Sequence, residues 1–283
     1  MLVVNVTPLS IAKSPFTFII KKMRPLLALE TSGKIVGVAV RAESGLLFSE
    51  NVAAGAAHGR SLAPLIDKAL NACNLRPANL EATAVSLGPG SWTGLRIGLS
   101  TAKAFAWGAR IGILGVPSFE ALAQEASARA PGQARLTLRD ARISGCFCAL
   151  FSETSAPAER WITECVLGYS ELLNAVDATV REHPGVPIAV CGDDVCLNAL
   201  ETAAAARGWT LLRGCEHISA ASLAACAWAR LRNGEGSSDP ATIHKLAPLY
   251  LRASSPEVKL QEAQRRARDA HAPQMEMETG TGA

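Results

Sequence analysis

Three β-type runs in succession, followed by a switch to helical period, confine this chain to a small set of α/β folds. Residues 26–30 (LLALE) are apolar and residues 35–41 (IVGVAVR) are β-branched. Residues 46–52 add a third, weaker run after the turn at Ser44-Gly45. Residues 61–73 then place Leu62, Leu65, Ile66, Ala69, Leu70 and Cys73 on one helical face. Ser61 is the expected N-cap, and Pro64 is tolerated in the first turn. A strand at 82–87, a helix at 94–107, a strand at 111–116 and a helix at 118–130 follow. This order predicts a mixed sheet flanked by helices.

The pattern starts again after Pro131-Gly132. Strands are expected at 134–139, 144–151 and 160–167, then a helix at 170–182, a strand at 187–191 and helices at 194–206 and 219–232. The doubling predicts two related lobes, 23–131 and 132–252, of the ribonuclease-H-like or actin/Hsp70-like class. Residues 233–240 (NGEGSSDP) have linker composition and are expected to be flexible. Residues 246–252 are expected to form a short ordered tail, and 253–283 a disordered one. Residues 1–22 are expected to be a non-native or disordered extension, with Met23 as the natural start.

Composition narrows the function. Of 283 residues, 49% are apolar and 19% charged, which excludes global disorder. The formal charge is +3, and Lys13, Lys21 and Lys22 all precede Met23. Residues 23–283 are therefore balanced, unlike a protein that grips nucleic acid by itself. No apolar run is long enough to span a bilayer, and a cytoplasmic location is expected. Eight cysteines without a C-x-x-C read as small buried hydrophobes in a reducing compartment, with Cys146 and Cys148 on one face of a strand.

The sharpest motif is GPGSWTGLRIG, Gly88 to Gly98, between a strand and a helix. Gly88 and Gly90 permit close backbone approach, and Ser91 or Thr93 can cap the helix. The free N–H groups there suit an anion, yet no Lys-Ser/Thr pair makes it a Walker loop, and the glycine spacing is not a Rossmann fingerprint. Structural turn and phosphate cradle stand equal on these residues. Glu30, before Thr31 and Ser32, is either a metal-associated carboxylate or a strand-end residue bonded to the next turn. Arg96 serves a ligand or partner, or pairs with a carboxylate. Arg139, Asp140 and Arg142 open the second lobe, where they either face the cleft or, as the plainer expectation, bridge the lobes by salt links.

Taken together these stretches resemble the TsaB (YeaZ) family of tRNA threonylcarbamoyladenosine biosynthesis. LLALETS at 26–32, HGRSLAPLIDKAL at 58–70, GPGSWTGLRIGLSTAKAFA at 88–106, RDARISGCFCALF at 139–151 and PLYLR at 248–252 stand in the family's order. Trp92 stands where phenylalanine is common, and Ile143, Ser144, Cys146 and Phe147 depart from the family's usual second-lobe entry. The resemblance covers about residues 23–252. It implies an actin/Hsp70-like fold and a non-catalytic paralogue of the transferase TsaD. TsaD would be its partner, with a TsaE-type ATPase as third component and tRNA reached only through the complex. The modified base would be adenosine 37 of tRNAs reading ANN codons.

The resemblance also implies which residues matter. TsaD-type enzymes carry an H-x-x-x-H metal pair at a helix start, and here Ser118 and Leu122 take those places. The five histidines include no pair at i, i+4, so no metal site and no catalytic residue is expected. The degenerate Cys191-Gly192-Asp193-Asp194 implies that ATP or ADP is not bound tightly, but weakly or at an interface. A phosphate loop or cleft would draw on Glu30, Thr31, Ser32, Gly88, Gly90, Ser91, Thr93 and Arg96. The family's dimer surface maps to the helices 61–73 and 94–107, with Leu62, Ile66, Leu70, Leu95, Leu99, Ala102 and Phe105 as expected contacts, in a homodimer or with TsaD. The alternative is an active ATP-dependent phosphotransferase or ATPase of the same fold, with Glu30 near magnesium.

Overall fold

The computed structural model describes residues 23–53, 58–142, 145–153 and 159–251, with the His58 side chain left out. The expectations for 1–22 and 253–283 lie outside these residues. The first unit runs β1 (Leu26–Glu30), β2 (Ile35–Ala42), β3 (Gly45–Ala53), α1 (His58–Ala72), β4 (Ala82–Ser86), α2 (Trp92–Ala109), β5 (Gly112–Val116) and α3 (Ser118–Ser127). The second runs β6 (Ala134–Asp140), β7 (Cys146–Phe151), β8 (Arg160–Leu167), α4 (Tyr169–Glu182), β9 (Ile188–Gly192), α5 (Asp194–Arg207), β10 (Thr210–Leu212) and α6 (Ala220–Arg232). A last helix, α7 (Pro240–Lys245), follows.

The two units are topological copies. The sheet orders are β3-β2-β1-β4-β5 and β10-β9-β6-β7-β8. In each, the three leading strands are antiparallel and the last two join in parallel. The apolar runs explain the central strands: β1 and β4 are buried at every position, as strands covered on both faces must be. This is the two-lobed actin/Hsp70-like arrangement that the doubled pattern predicts.

The lobe boundaries depart from the sequence expectation in one respect. Helix α3 packs on β6, β7 and β9 of the second sheet, while α6 returns to β1 and β2 of the first. The two helices also pack on each other. They form the central layer, with Phe119, Leu122, Leu223 and Trp228 between strands of both sheets. Outer layers complete the molecule: α1, α2 and α7 cover the first sheet, and α4 and α5 the second. Periodicity marks a helix but not the sheet it covers, which is why the boundary at residue 131 separates α3 from its packing partners.

The stretch 233–240 is also ordered where a flexible linker was expected. Ser237 exchanges both backbone hydrogen bonds with Ile113, extending the first sheet beyond β5. Asp239 then caps α7 by accepting from Thr242 N–H at 2.8 Å. Backbone pairing overrides composition here. Ser61 lies inside α1, not at its cap, because the helix begins at His58.

Candidate functional site

The glycine loop after β4 and the turn after β1 meet at the end of the first sheet that faces the second lobe. Ser91 caps α2 by accepting from Gly94 N–H at 3.2 Å. Its own N–H donates to the Ser32 carbonyl at 2.7 Å. A Cβ at Gly94 would run into the Thr31 carbonyl oxygen, and one at Gly98 into the Thr31 hydroxyl. The glycines thus let α2 lie directly on the turn after β1. Between structural turn and phosphate cradle, the packing answers for the turn.

Arg139, on β6 of the second lobe, reaches across and donates to the carbonyls of Ser32 and Pro89, both at 3.1 Å. It bridges the lobes as expected, but through backbone carbonyls and not through a salt link. Asp140 and Arg142 stay within the second lobe. The Asp140 N–H donates to Asp193 at 2.9 Å, and the Asp140 carboxylate accepts from Arg142 N–H at 2.8 Å.

Glu30 is 1% exposed. One carboxylate oxygen accepts from Ser32 N–H at 2.6 Å, which is the strand-end reading. Burial raises its carboxyl above the ordinary range, against the lowering effects of Ser32 and Arg139. Thr31 N–H donates to the Ser86 hydroxyl at 3.4 Å, tying the turn to β4. Glu30, Thr31 and Ser32 are all buried by protein.

Arg96 and Thr93 lie on the exposed side of α2. The Arg96 guanidinium lies 4.2 Å over the Trp92 ring and donates to the Tyr250 hydroxyl at 3.1 Å. Trp92 and Tyr250 stack at 4.1 Å. Arg96 therefore pairs with the Trp92 ring and the Tyr250 hydroxyl, not with a carboxylate. Leu249 N–H donates to the Leu87 carbonyl at 2.7 Å, which lays the tail across the glycine loop. The crevice left among Gly90, Trp92, Leu95, Phe147 and Tyr250 measures about 70 Å³. Small-molecule sites are typically roughly 300–1,000 Å³. This crevice, among the described residues, is much smaller than such a site.

Ser118 and Leu122 are likewise absorbed by the fold. The Ser118 hydroxyl accepts from Gly88 N–H at 3.0 Å, and Leu122 is sealed in the layer between the sheets. Among the described residues, no group of three or more His, Cys, Asp and Glu side chains is arranged to hold a metal ion. The helix after β9 begins at Asp194, and Gly192 abuts the Leu138 carbonyl.

The expected interface contacts need correction. Leu62, Ile66, Leu70, Leu95, Leu99 and Ala102 are all buried within the chain. All but Leu95 belong to the core between the first sheet and helices α1 and α2, and Phe105 packs half-buried against it. An apolar helical face is the face a sheet claims first, at about 1.5–3 kcal/mol per large side chain. What α1 and α2 present outward is a different set. Ala63, Pro64 and Asp67 are exposed on α1; Ser100, Ala104, Trp107 and Gly108 are exposed on α2. Trp107 is 63% exposed. Ser100, Ala104 and Gly108 recur at i, i+4, i+8, a low stripe that lets another helix approach closely. The signal was present in the sequence as small residues at helical spacing.

Among the described residues no helix is long and apolar enough to cross a membrane. A family model for TsaD, tRNA N6-adenosine threonylcarbamoyltransferase, matches residues 52–260. The tRNA threonylcarbamoyladenosine biosynthesis protein TsaB of Bacillus subtilis is 26% identical over 242 residues, which is 85% of this chain and 99% of that protein. TsaB of Haemophilus influenzae is 35% identical over 103 residues, 36% of this chain and 42% of that protein. Among solved structures, YeaZ from Pseudomonas aeruginosa superposes with a TM-score of 0.64 at 20% identity, covering 81% of this chain and 100% of that one. That likeness bears on the fold.

Proposed function

The chain belongs to the TsaD family, and within it to the TsaB/YeaZ type, and from that premise we propose that it is a non-catalytic partner subunit in tRNA threonylcarbamoyladenosine biosynthesis. It supports a TsaD-type transferase that modifies adenosine 37 of tRNAs reading ANN codons. The transferase and a TsaE-type ATPase complete the assembly, and tRNA is held mainly by the other subunits. One observation carries this reading: α2 leaves a stripe of small exposed residues, Ser100, Ala104 and Gly108, beside an exposed Trp107. Tryptophan at the edge of such a face is a frequent anchor of protein interfaces.

The residues at this joint support the non-catalytic part. Ser118 and Leu122 offer no ligand pair, and Arg139 occupies the carbonyls of Ser32 and Pro89. Any ATP or ADP used by the assembly is then held weakly by this chain or at the boundary with its partner. The small crevice at the same joint disfavours the phosphotransferase alternative.

Reconstitution tests the proposal. The full chain is mixed with the same organism's TsaD-type and TsaE-type proteins, tRNA, ATP and the threonylcarbamoyl donor. Modified adenosine is expected only when chain and transferase are both present, with none formed by the chain alone. Equal modification with and without the chain would refute the assignment.

A further inference from the structure

We propose that Cys148 and Cys165 form an oxidation site, at which a hydroperoxide-class oxidant converts two thiols to a disulfide across β7 and β8. The pair stands apart from the joint between the lobes and from the outer face of α1 and α2, and the inference does not rest on the proposed function.

The two residues are directly opposed in the antiparallel register of β7 and β8. Their Sγ atoms are 3.5 Å apart. Opposed residues on antiparallel strands have Cα atoms about 4.5–5.5 Å apart, inside the roughly 4.4–6.8 Å that a disulfide spans. Reaching the S–S bond length of about 2.05 Å requires closing about 1.5 Å, which side-chain rotation can supply without moving either strand.

Access is asymmetric. β8 is the edge strand of its sheet, and Cys165 is half-buried there. Cys148 is sealed at 0% exposure in the layer under α4 and α5. Cys165 is therefore the entry point and Cys148 the resolving thiol. The Cys165 thiolate attacks the peroxide O–O bond and becomes a sulfenic acid, and the leaving oxygen departs as water or alcohol. The Cys148 sulfur then attacks the sulfenic sulfur and expels water. Two thiols are oxidised and one peroxide is reduced.

Two more thiols continue the row. Cys146 lies two residues along the same face, and Cys196 of α5 adjoins it. The hydrogen bond with Cys148, together with burial, pushes the Cys146 thiol up to about 12. The hydrogen bond with Cys146, with burial, raises Cys196 as well. Both are sealed at 0% exposure, and neither is the cross-strand partner of Cys165, which is Cys148.

The test treats the reduced full chain with hydrogen peroxide, blocks remaining thiols by alkylation and maps peptides by mass. A linked peptide joining Cys148 and Cys165, lighter by two hydrogens and released by dithiothreitol, is expected. Oxidised chain is expected to melt at a higher temperature than reduced chain. Cys148→Ala keeps an apolar side chain in the core; it is expected to lose both the link and the rise, while Cys165 becomes trappable by a sulfenic-acid reagent. Cys73→Ala, which changes the other half-buried thiol, is expected to behave as wild type. A link mapped to any other pair overturns the proposal. So does full alkylation of Cys148 and Cys165 after peroxide.

Discussion

Glu30 is a carboxylate that the fold has sealed between β1, the Ser32 turn and the arm of Arg139. Its raised ionisation has a definite sign. The stabilising contribution of the protonated form is complete below the ordinary glutamate range of about 4.3 and is lost as pH rises through the raised value. Glu30→Gln keeps the acceptor oxygen and removes the titration. Wild type is therefore expected to lose stability relative to Glu30→Gln between acid and neutral pH, read as urea midpoints across that range. Parallel pH profiles would show that burial does not govern this residue. The sequence displayed Glu30 as a strand-end carboxylate but not its seclusion, because Arg139 and Ser91 approach from distant parts of the chain. Gly88 and Gly90 of the loop were legible as permission for close approach. What approaches Gly90, the Ser32 backbone and Arg139, belongs to other elements.

At the scale of elements, the sequence was most informative where periodicity and burial coincide. The helical face of Leu62, Leu65, Ile66, Ala69 and Leu70 gave α1 to within a few residues. Helix α2 was harder, because it is apolar nearly all round, and period cannot say which side meets a sheet and which a partner. The structure assigns Leu99 to the core and Ser100 to the surface. Leu99→Ala is thus expected to cost about 2–5 kcal/mol in chemical denaturation. Ser100→Ala is expected to stay within about 0.5 kcal/mol of wild type. Equal effects would reverse the two faces. The short β10 and α7 escaped notice because three and six residues carry too little period to register.

For the whole molecule, the crossing of α3 and α6 ties the two lobes together. Glu120 on α3, 3% exposed, accepts from Arg160 of β8 at 2.6 Å and from Arg230 of α6 at 2.9 Å. Glu125 accepts from the hydroxyls of Ser219 and Ser222 at the start of α6, both at 2.6 Å. These bonds satisfy buried charge at the seam and hold the central helices in register. The duplication was legible, since βββαβα occurs twice; the exchange of helices was not, because it is a property of packing and not of order. The surface that the proposed function calls on is the outer face of α1 and α2. The most direct test is co-elution of the full chain with the same organism's TsaD-type protein, comparing wild type with Ala104→Glu. Ala104 is exposed, so the variant is expected to fold as wild type and to bind more than about tenfold more weakly, a loss above ~1.4 kcal/mol. Undiminished binding by a folded Ala104→Glu would contradict the account.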